Sequence, residues 1–571
     1  MIDSILLEVL WKRLISIVNE QAAALIHSSF TTLVREAGDL SAGVFDAQGR
    51  MLAQAVTGTP GHINTMANCV RDHVVPQFPI DTLNAGDTLI TNDPWAASGH
   101  LFDLTIVTPV FYKGKGIGWF ASTCHAMDIG GLTMGGDATE VFEEGLAIPL
   151  MKLFKAGEPN EDLFDIIRAN VRVPNEVIGD IYAQQAGNMV GSRKLIEMMD
   201  EYQLDDLDGL SNLILDRTEK SLRDAIQKVP SGVYQSAVTI DGFDDPVTIH
   251  CKVMVNDRDI VVDFEGTSPQ IRRGINVVMN YTHAYTTYTL MCAIAPDIPN
   301  NEGAFRPIKV MAPEGCILNC KRPAPVSARH LIGHFVSQPI LHALSNPIPN
   351  KVIADGSAGL WNTMIEGELN RDGDLFAYIY FSAGGMGARP YRDGLSATAF
   401  PSGITGVPAE VIESVAPIRM HKRELIIDSG GAGKFRGGLG QEMILEVLTG
   451  LPAIHSCMYD RTRFPASGYH GGLSGTAGEV VLSTGHHPHP KSRYVIQPHQ
   501  TVTLRLPGGG GFYSPLERDP AHVLDDVRQG YVSLKCAKED YGVIIDEHTW
   551  SIDEQATRKE RLRMKENPVV E

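Results

Sequence analysis

What the sequence lacks narrows its function first. No run of about 18 apolar residues occurs in it, so nothing is built to span a bilayer as a helix. Cations are in the minority: Lys and Arg number 49 against 68 Asp and Glu, for a formal net charge of −19. Phosphate-backbone binding needs a concentrated cationic face, so nucleic acid is disfavoured as a partner. Cysteine is scarce, with eight in 571 residues and no CxxC pair. That usage points to reduced thiols and a cytoplasmic setting, not to a disulfide framework. Cys316 and Cys320 are the nearest pair, and no histidine or second cysteine pair stands close by to complete a zinc knuckle.

Motifs for nucleotides and nucleophiles are missing as well. Gly430-Gly431-Ala432-Gly433-Lys434-Phe435 has a lysine after glycine, but Phe435 stands where a P-loop needs Ser or Thr to hold magnesium. Pro507-Gly508-Gly509-Gly510-Gly511 has no lysine at all. Both stretches read as tight turns with close backbone approach. There is no GxSxG elbow and no cysteine-centred motif that recommends a nucleophile. ATP is therefore not expected on this chain through a P-loop. The stretch Met1 to Glu20 does not read as a signal peptide, because Asp3, Glu8, Lys12 and Arg13 interrupt it and no small-residue cleavage site follows. Leu6, Leu10, Leu14 and Ile17 fall at helical spacing instead, which predicts an amphipathic core helix.

What is present is ordinary globular composition, 43 % hydrophobic and 20 % charged, over a length that suits two to four domains. Helices and strands mix up to about Lys228. A hairpin is expected where Leu40–Phe45 and Met51–Ala55 flank the turn Asp46-Ala47-Gln48-Gly49, with Asp46 as turn former. Helical periodicity covers Glu161–Asn170 and Val190–Tyr202, and a β-meander is predicted over Tyr234–Ile240, Val247–Val255 and Ile260–Phe264. A helix is expected around His330–Ser345, then short strands with Gly-rich loops. Two terminal helices follow, one capped by Asp519 and one over Ser533–Tyr541, before a charged, solvated tail after Gln555. The fold class is α+β and multi-domain, a mixed α/β metal-binding N-terminal half followed by a β-rich half with helices. The divisions are 1–229, 230–325 and 326–571.

The sharpest chemical signal is Asn92-Asp93-Pro94-Trp95, then His100-x-x-Asp103, then His125. Leu104–Tyr112 and Ile117–Cys124 read as the two strands of a hairpin turning at Lys113–Gly116. If Tyr112 pairs with Ile117, paired residue numbers sum to 229; Asp103 and His125 sum to 228, so they are near-opposite at its open end. Pro109 could add a bulge that slips this register by one. Directly opposed Cβ atoms lie about 4.5–5.5 Å apart, close enough to share an ion. His100 precedes Asp103 by three residues, a spacing that meets on one side of a helical turn. Two imidazoles and a carboxylate compose a catalytic divalent-metal site, and they equally compose a histidine pair with an orienting carboxylate. His62, after the turn Thr59-Pro60-Gly61, could face a pocket, and Asp128 could orient His125 from behind. For His27, His73, His330 and His334, packing or solvation is the expectation.

With these residues in place, the chain resembles the hydantoinase B/oxoprolinase family over nearly its whole length. Arg35-Glu36-Ala37-Gly38-Asp39-Leu40-Ser41, Asn92-Asp93-Pro94, His100-x-x-Asp103 and His125-Ala126-Met127-Asp128-Ile129-Gly130-Gly131 carry the resemblance in the first part. Phe264-Glu265-Gly266-Thr267-Ser268, Asn300-Asn301-Glu302-Gly303-x-x-Arg306-Pro307, Gly433-Lys434-Phe435-Arg436-Gly437-Gly438, Pro507 to Gly511 and Leu524 to Tyr531 carry it further. The resemblance implies a B-type subunit working with a separate A-type subunit of actin-like ATPase fold, in a heterotetramer of two A-type and two B-type chains. The A-type chain, with ATP and Mg2+, would phosphorylate the carbonyl oxygen of a hydantoin, lactam or oxoproline. The B-type chain would hydrolyse the activated intermediate at one divalent ion, Zn2+ or Mn2+. It further implies His100, Asp103 and His125 as ligands with Asp39 as a fourth, and His62 or Asp128 as base or orienter. Two rival expectations stand beside it: a subunit of an acetone- or acetophenone-type carboxylase, and a non-catalytic scaffold for the ATPase.

Overall fold

The computed structural model describes residues 2–56 and 58–566. Its fold is α+β, as the sequence predicts. Four sheets of four or more strands and one two-stranded sheet carry helices between and around them. Helix Ser4–Ser28 starts at Asp3, whose carboxylate accepts from the Ile5 and Leu6 N–H groups. Its Leu10, Leu14 and Ile17 are fully buried, and it packs on helix Pro174–Tyr202. The periodicity predicts only Val190–Tyr202, the second half of that longer helix. Its glycines are contact points. A Cβ on Gly191 would lie 2.5 Å from the Phe120 ring, and one on Gly187 would lie 3.0 Å from the Gln21 carbonyl oxygen.

The sheet that matters for function has seven strands: β1 Leu40–Asp46, β2 Met51–Gln54, β3 Thr88–Thr91, β4 Asp103–Tyr112, β5 Lys115–His125, β6 Met151–Lys155 and β7 Glu158–Pro159. They lie in the order β2-β1-β5-β4-β3-β6-β7. Strands β1 and β2 form the expected hairpin, with Asp46 accepting from the N–H groups of Gln48 and Arg50. Between β4 and β5 the turn is only Lys113-Gly114, both at positive φ (50° and 81°), the pair a tight hairpin turn requires. Tyr112 pairs with Lys115 and not with Ile117; the bulge falls between Val110 and Phe111, not at Pro109, and beyond it the register lies one residue from the expected one, so that Asp103 and His125, expected near-opposite, are directly paired. Both central strands are almost wholly buried, so the sheet is an interior layer.

The predicted meander is present as Gly232–Ile240, Val247–Asn256 and Asp259–Asp263, extended by a parallel strand, Ile308–Met311. The helix expected near 330–345 is broken into His330–Gly333, a tighter turn at His334–Val336 and Ser337–Leu344. Pro339 supplies no N–H for the Phe335 carbonyl four residues back, which explains the tightening. The stretch Gly508–Gly511 packs by close backbone approach: a Cβ on Gly509 would sit 2.2 Å from the Met386 carbonyl oxygen. The residues after Gln555 differ from the expected solvated tail. They continue helix Glu554–Glu566, where Thr557 is buried and Arg561 donates to the Tyr541 and Arg518 carbonyls.

Candidate metal centre

Four segments converge at the open end of the β4–β5 hairpin. Asp103 begins β4 and His125 ends β5, so their pairing fixes the first two groups. His100 sits on the turn before β4. Asp39 directly precedes β1, and because Leu40 pairs with Cys124 it arrives beside His125, whose N–H donates to the Asp39 carbonyl. His62 lies in the first turn of helix Pro60–Cys69. From far along the chain comes Arg329, immediately before helix His330–Gly333.

Asp103 is fully buried and is the hub. One of its oxygens is 2.8 Å from His100 Nε2 and 3.1 Å from His125 Nδ1. The other is 3.0 Å from His62 Nε2 and 2.5 Å from an Arg329 Nη. Burial raises the cost of its charge, yet the facing His62 and Arg329 outweigh burial and hold its carboxyl well below the usual range. Burial and the Arg329 guanidinium push His100 down to about 3, so its ring is neutral. For His62 burial acts in the same sense, but the facing Asp103 and Asp39 carboxylates prevail and raise its pKa.

The donor set fits a divalent ion. His100 Nδ1 lies 2.9 Å from the Ser327 carbonyl, which fixes the N–H there and leaves Nε2 with its lone pair. His125 Nδ1 bonds Asp103, leaving Nε2 likewise. Both Nε2 atoms are buried without a hydrogen-bond partner, although His100 Nε2 is near Asp103, and His62 Nδ1 is unpartnered too. Ligand atoms from His100, Asp103 and His125 lie within 4.8 Å of one another, the only such group of three among the described residues. Unsatisfied imidazole nitrogens around an ionised carboxylate are what a bound cation relieves. The groups line a small cavity of about 30 Å3.

The residues singled out from the sequence do not all meet here. Asp39 does: Thr59 Oγ1 donates to it at 2.9 Å, and it stands 3.6 Å from His62 Nδ1 and 4.0 Å from His125 Nδ1. Asp128 is placed otherwise than expected. Its carboxylate takes the Arg172 guanidinium at 2.8 Å, the Arg172 N–H and the Gly130 N–H, so its oxygens are spent away from His125. Sequence reasoning missed Arg329, and it set His330 and His334 aside although both line the cavity. The one available signal was Arg329-His330-x-x-x-His334, two histidines a helical turn apart behind a cation.

A family model for hydantoinase B/oxoprolinase matches residues 3–515. The B-type subunit of the putative D-/L-hydantoinase of Pseudomonas sp. (strain NS671) is 31 % identical, with 98 % of each chain covered. The beta subunit of the caprolactamase of Pseudomonas jessenii is 29 % identical over 98 % of this chain and 99 % of that one. Among solved structures, the ATP-dependent caprolactamase of Pseudomonas jessenii superposes with a TM-score of 0.90 at 28 % identity, covering 98 % of this chain and all of that one. A nucleotide-free acetone carboxylase also superposes with a TM-score of 0.90. At 20 % identity, over all of this chain and 84 % of that one, it speaks for the fold alone. The match of family model and relatives along nearly the full length makes this chain a member of the hydantoinase B/oxoprolinase family.

Proposed function

We propose that this chain is the metal-dependent B-type subunit of an ATP-dependent cyclic amide hydrolase. Its substrate is a hydantoin, lactam or oxoproline whose carbonyl oxygen a separate A-type subunit has phosphorylated with ATP and Mg2+. The observation that carries this reading is the buried His100–Asp103–His125 cluster in a chain whose relatives are named as subunits of a hydantoinase and a caprolactamase. These three residues would hold one divalent ion, zinc or manganese, with Asp39 beside them as a fourth ligand, through oxygen. When bound, that ion supplies Lewis acidity and an acidified water at neutral pH.

The chain's own groups do the rest. Arg329 keeps Asp103 ionised and in one rotamer, and the Ser327 carbonyl keeps the His100 lone pair turned inward. His62 lines the same cavity with Nδ1 unpartnered, and we assign it the proton transfer that accompanies ring opening. Burial excludes water from a labile phosphorylated species, and transfer from the A-type chain calls for a stable interface between the two.

Elemental analysis of the wild type beside the His100→Ala/His125→Ala double variant tests the reading. Near-stoichiometric zinc or manganese in the wild type, absent from the variant, is expected. Equal metal content in the two would overturn the ligand set, and turnover by the double variant would favour a scaffold. A carboxylase subunit would instead show product formation that depends on bicarbonate.

A further inference from the structure

The cavity at the metal centre has another wall, which the ligand set leaves unexplained. His330 and His334 stand one helical turn apart, with ring centroids separated by 5.7 Å. Both line the cavity together with His62, His100 and His125. Each is only 3 % exposed, yet neither ring nitrogen of His330, nor Nδ1 of His334, has a hydrogen-bond partner. Buried polar atoms are almost always satisfied, so two rings with three unsatisfied nitrogens on one cavity mark the place of a polar guest.

The surroundings say what kind of guest. No carboxylate pairs with either ring among the described residues, and Arg329, whose guanidinium pairs with Asp103, lines the same cavity. A cation would meet that guanidinium with no anion from this wall to compensate, which disfavours a separate metal ion here. A neutral imidazole offers one N–H donor, and donors aimed into a dry cavity suit an oxygen that carries or develops negative charge.

We propose that His330 and His334 donate hydrogen bonds to the substrate carboxylate that forms as the ring opens, in the cavity they share with His100, Asp103 and His125. The assignment rests on the reading that this triad holds a divalent ion and that the chain opens a cyclic amide. It makes both histidines substrate-binding groups.

The test uses the full chain loaded with cobalt(II) and titrated with formate, the smallest carboxylate, following the visible cobalt bands. The wild type is expected to take up cobalt and to bind formate with a spectral shift. In His330→Leu and His334→Leu, cobalt content should stay the same while the formate dissociation constant rises about tenfold or more. His330→Gln keeps a side-chain N–H donor and should lose less. Unchanged formate affinity in both leucine variants would overturn the assignment and leave the metal reading standing. So would a cobalt-loaded wild type that ignores formate. Loss of cobalt from either variant would also overturn it, by making these histidines ligands. A wild type that takes up no cobalt would remove the metal reading and this inference together. Should His330→Leu fail to fold, wild-type affinity in both His330→Gln and His334→Leu is the overturning result.

Discussion

The Asp103 carboxylate is buried among three imidazoles, and among the described residues Arg329 is the one permanent cation against it. In the metal-free chain, Arg329→Met leaves that carboxylate without its guanidinium partner. The expected cost is on the order of 3–5 kcal/mol, read as a lower urea midpoint at unchanged slope. Glu144 gives a pH test at the same scale. Its carboxylate accepts from the Val326 and Ser327 N–H groups, but burial dominates and raises its pKa to about 8. The folded chain thus keeps this proton where the unfolded chain, with an ordinary value near 4.5, has lost it. This contribution to stability is complete below the unfolded value. It is lost as pH rises toward 8, at a slope of at most about 1.4 kcal/mol per pH unit. Glu144→Gln should remove that part of the slope, as urea titrations at pH 5, 6, 7 and 8 would show. Of the residues around Asp103, those on the β4–β5 hairpin were legible by counting, since strand pairing converts residue numbers directly into neighbours. Arg329 was not, because nothing local in the sequence ties it to a carboxylate 226 positions away.

At the level of elements, legibility followed periodicity. The β1–β2 hairpin, the β4–β5 hairpin and the meander carried alternation and turn residues, and all three stand where those signals put them. Where glycine serves packing and not a turn, the sequence misled. Helix Pro174–Tyr202 runs straight through three glycines that let Phe30, helix Ser4–Ser28 and Phe120 come close. The Gly-rich stretch near residue 510 is the same device in extended chain: the Gly509 N–H donates to the Gly438 carbonyl while its Cα lies against Met386. Gly509→Ala would press a methyl into the Met386 carbonyl. It is expected to destabilise by at least about 1–3 kcal/mol, visible as a lower melting temperature.

For the whole molecule, the functional reading requires a second chain. The sequence offers no P-loop, and none of the described helices is long and apolar enough to cross a membrane. The chain by itself is expected to release no phosphate from ATP. Co-expression with its A-type partner should yield a complex of two A-type and two B-type chains, whose ATP turnover depends on a cyclic amide; light scattering and a phosphate-release assay check the two statements. The assembly of the metal centre also bears on the order in which the chain matures. The proposed ligands lie between residues 39 and 125, but the Ser327 carbonyl that turns His100 and the guanidinium that balances Asp103 are made some two hundred residues later. A nascent N-terminal segment therefore carries every proposed ligand before the site has its final charge and orientation. On that reading an ion would be best bound as a closing step of folding, and its occupancy would report that residues 326–329 have reached their place.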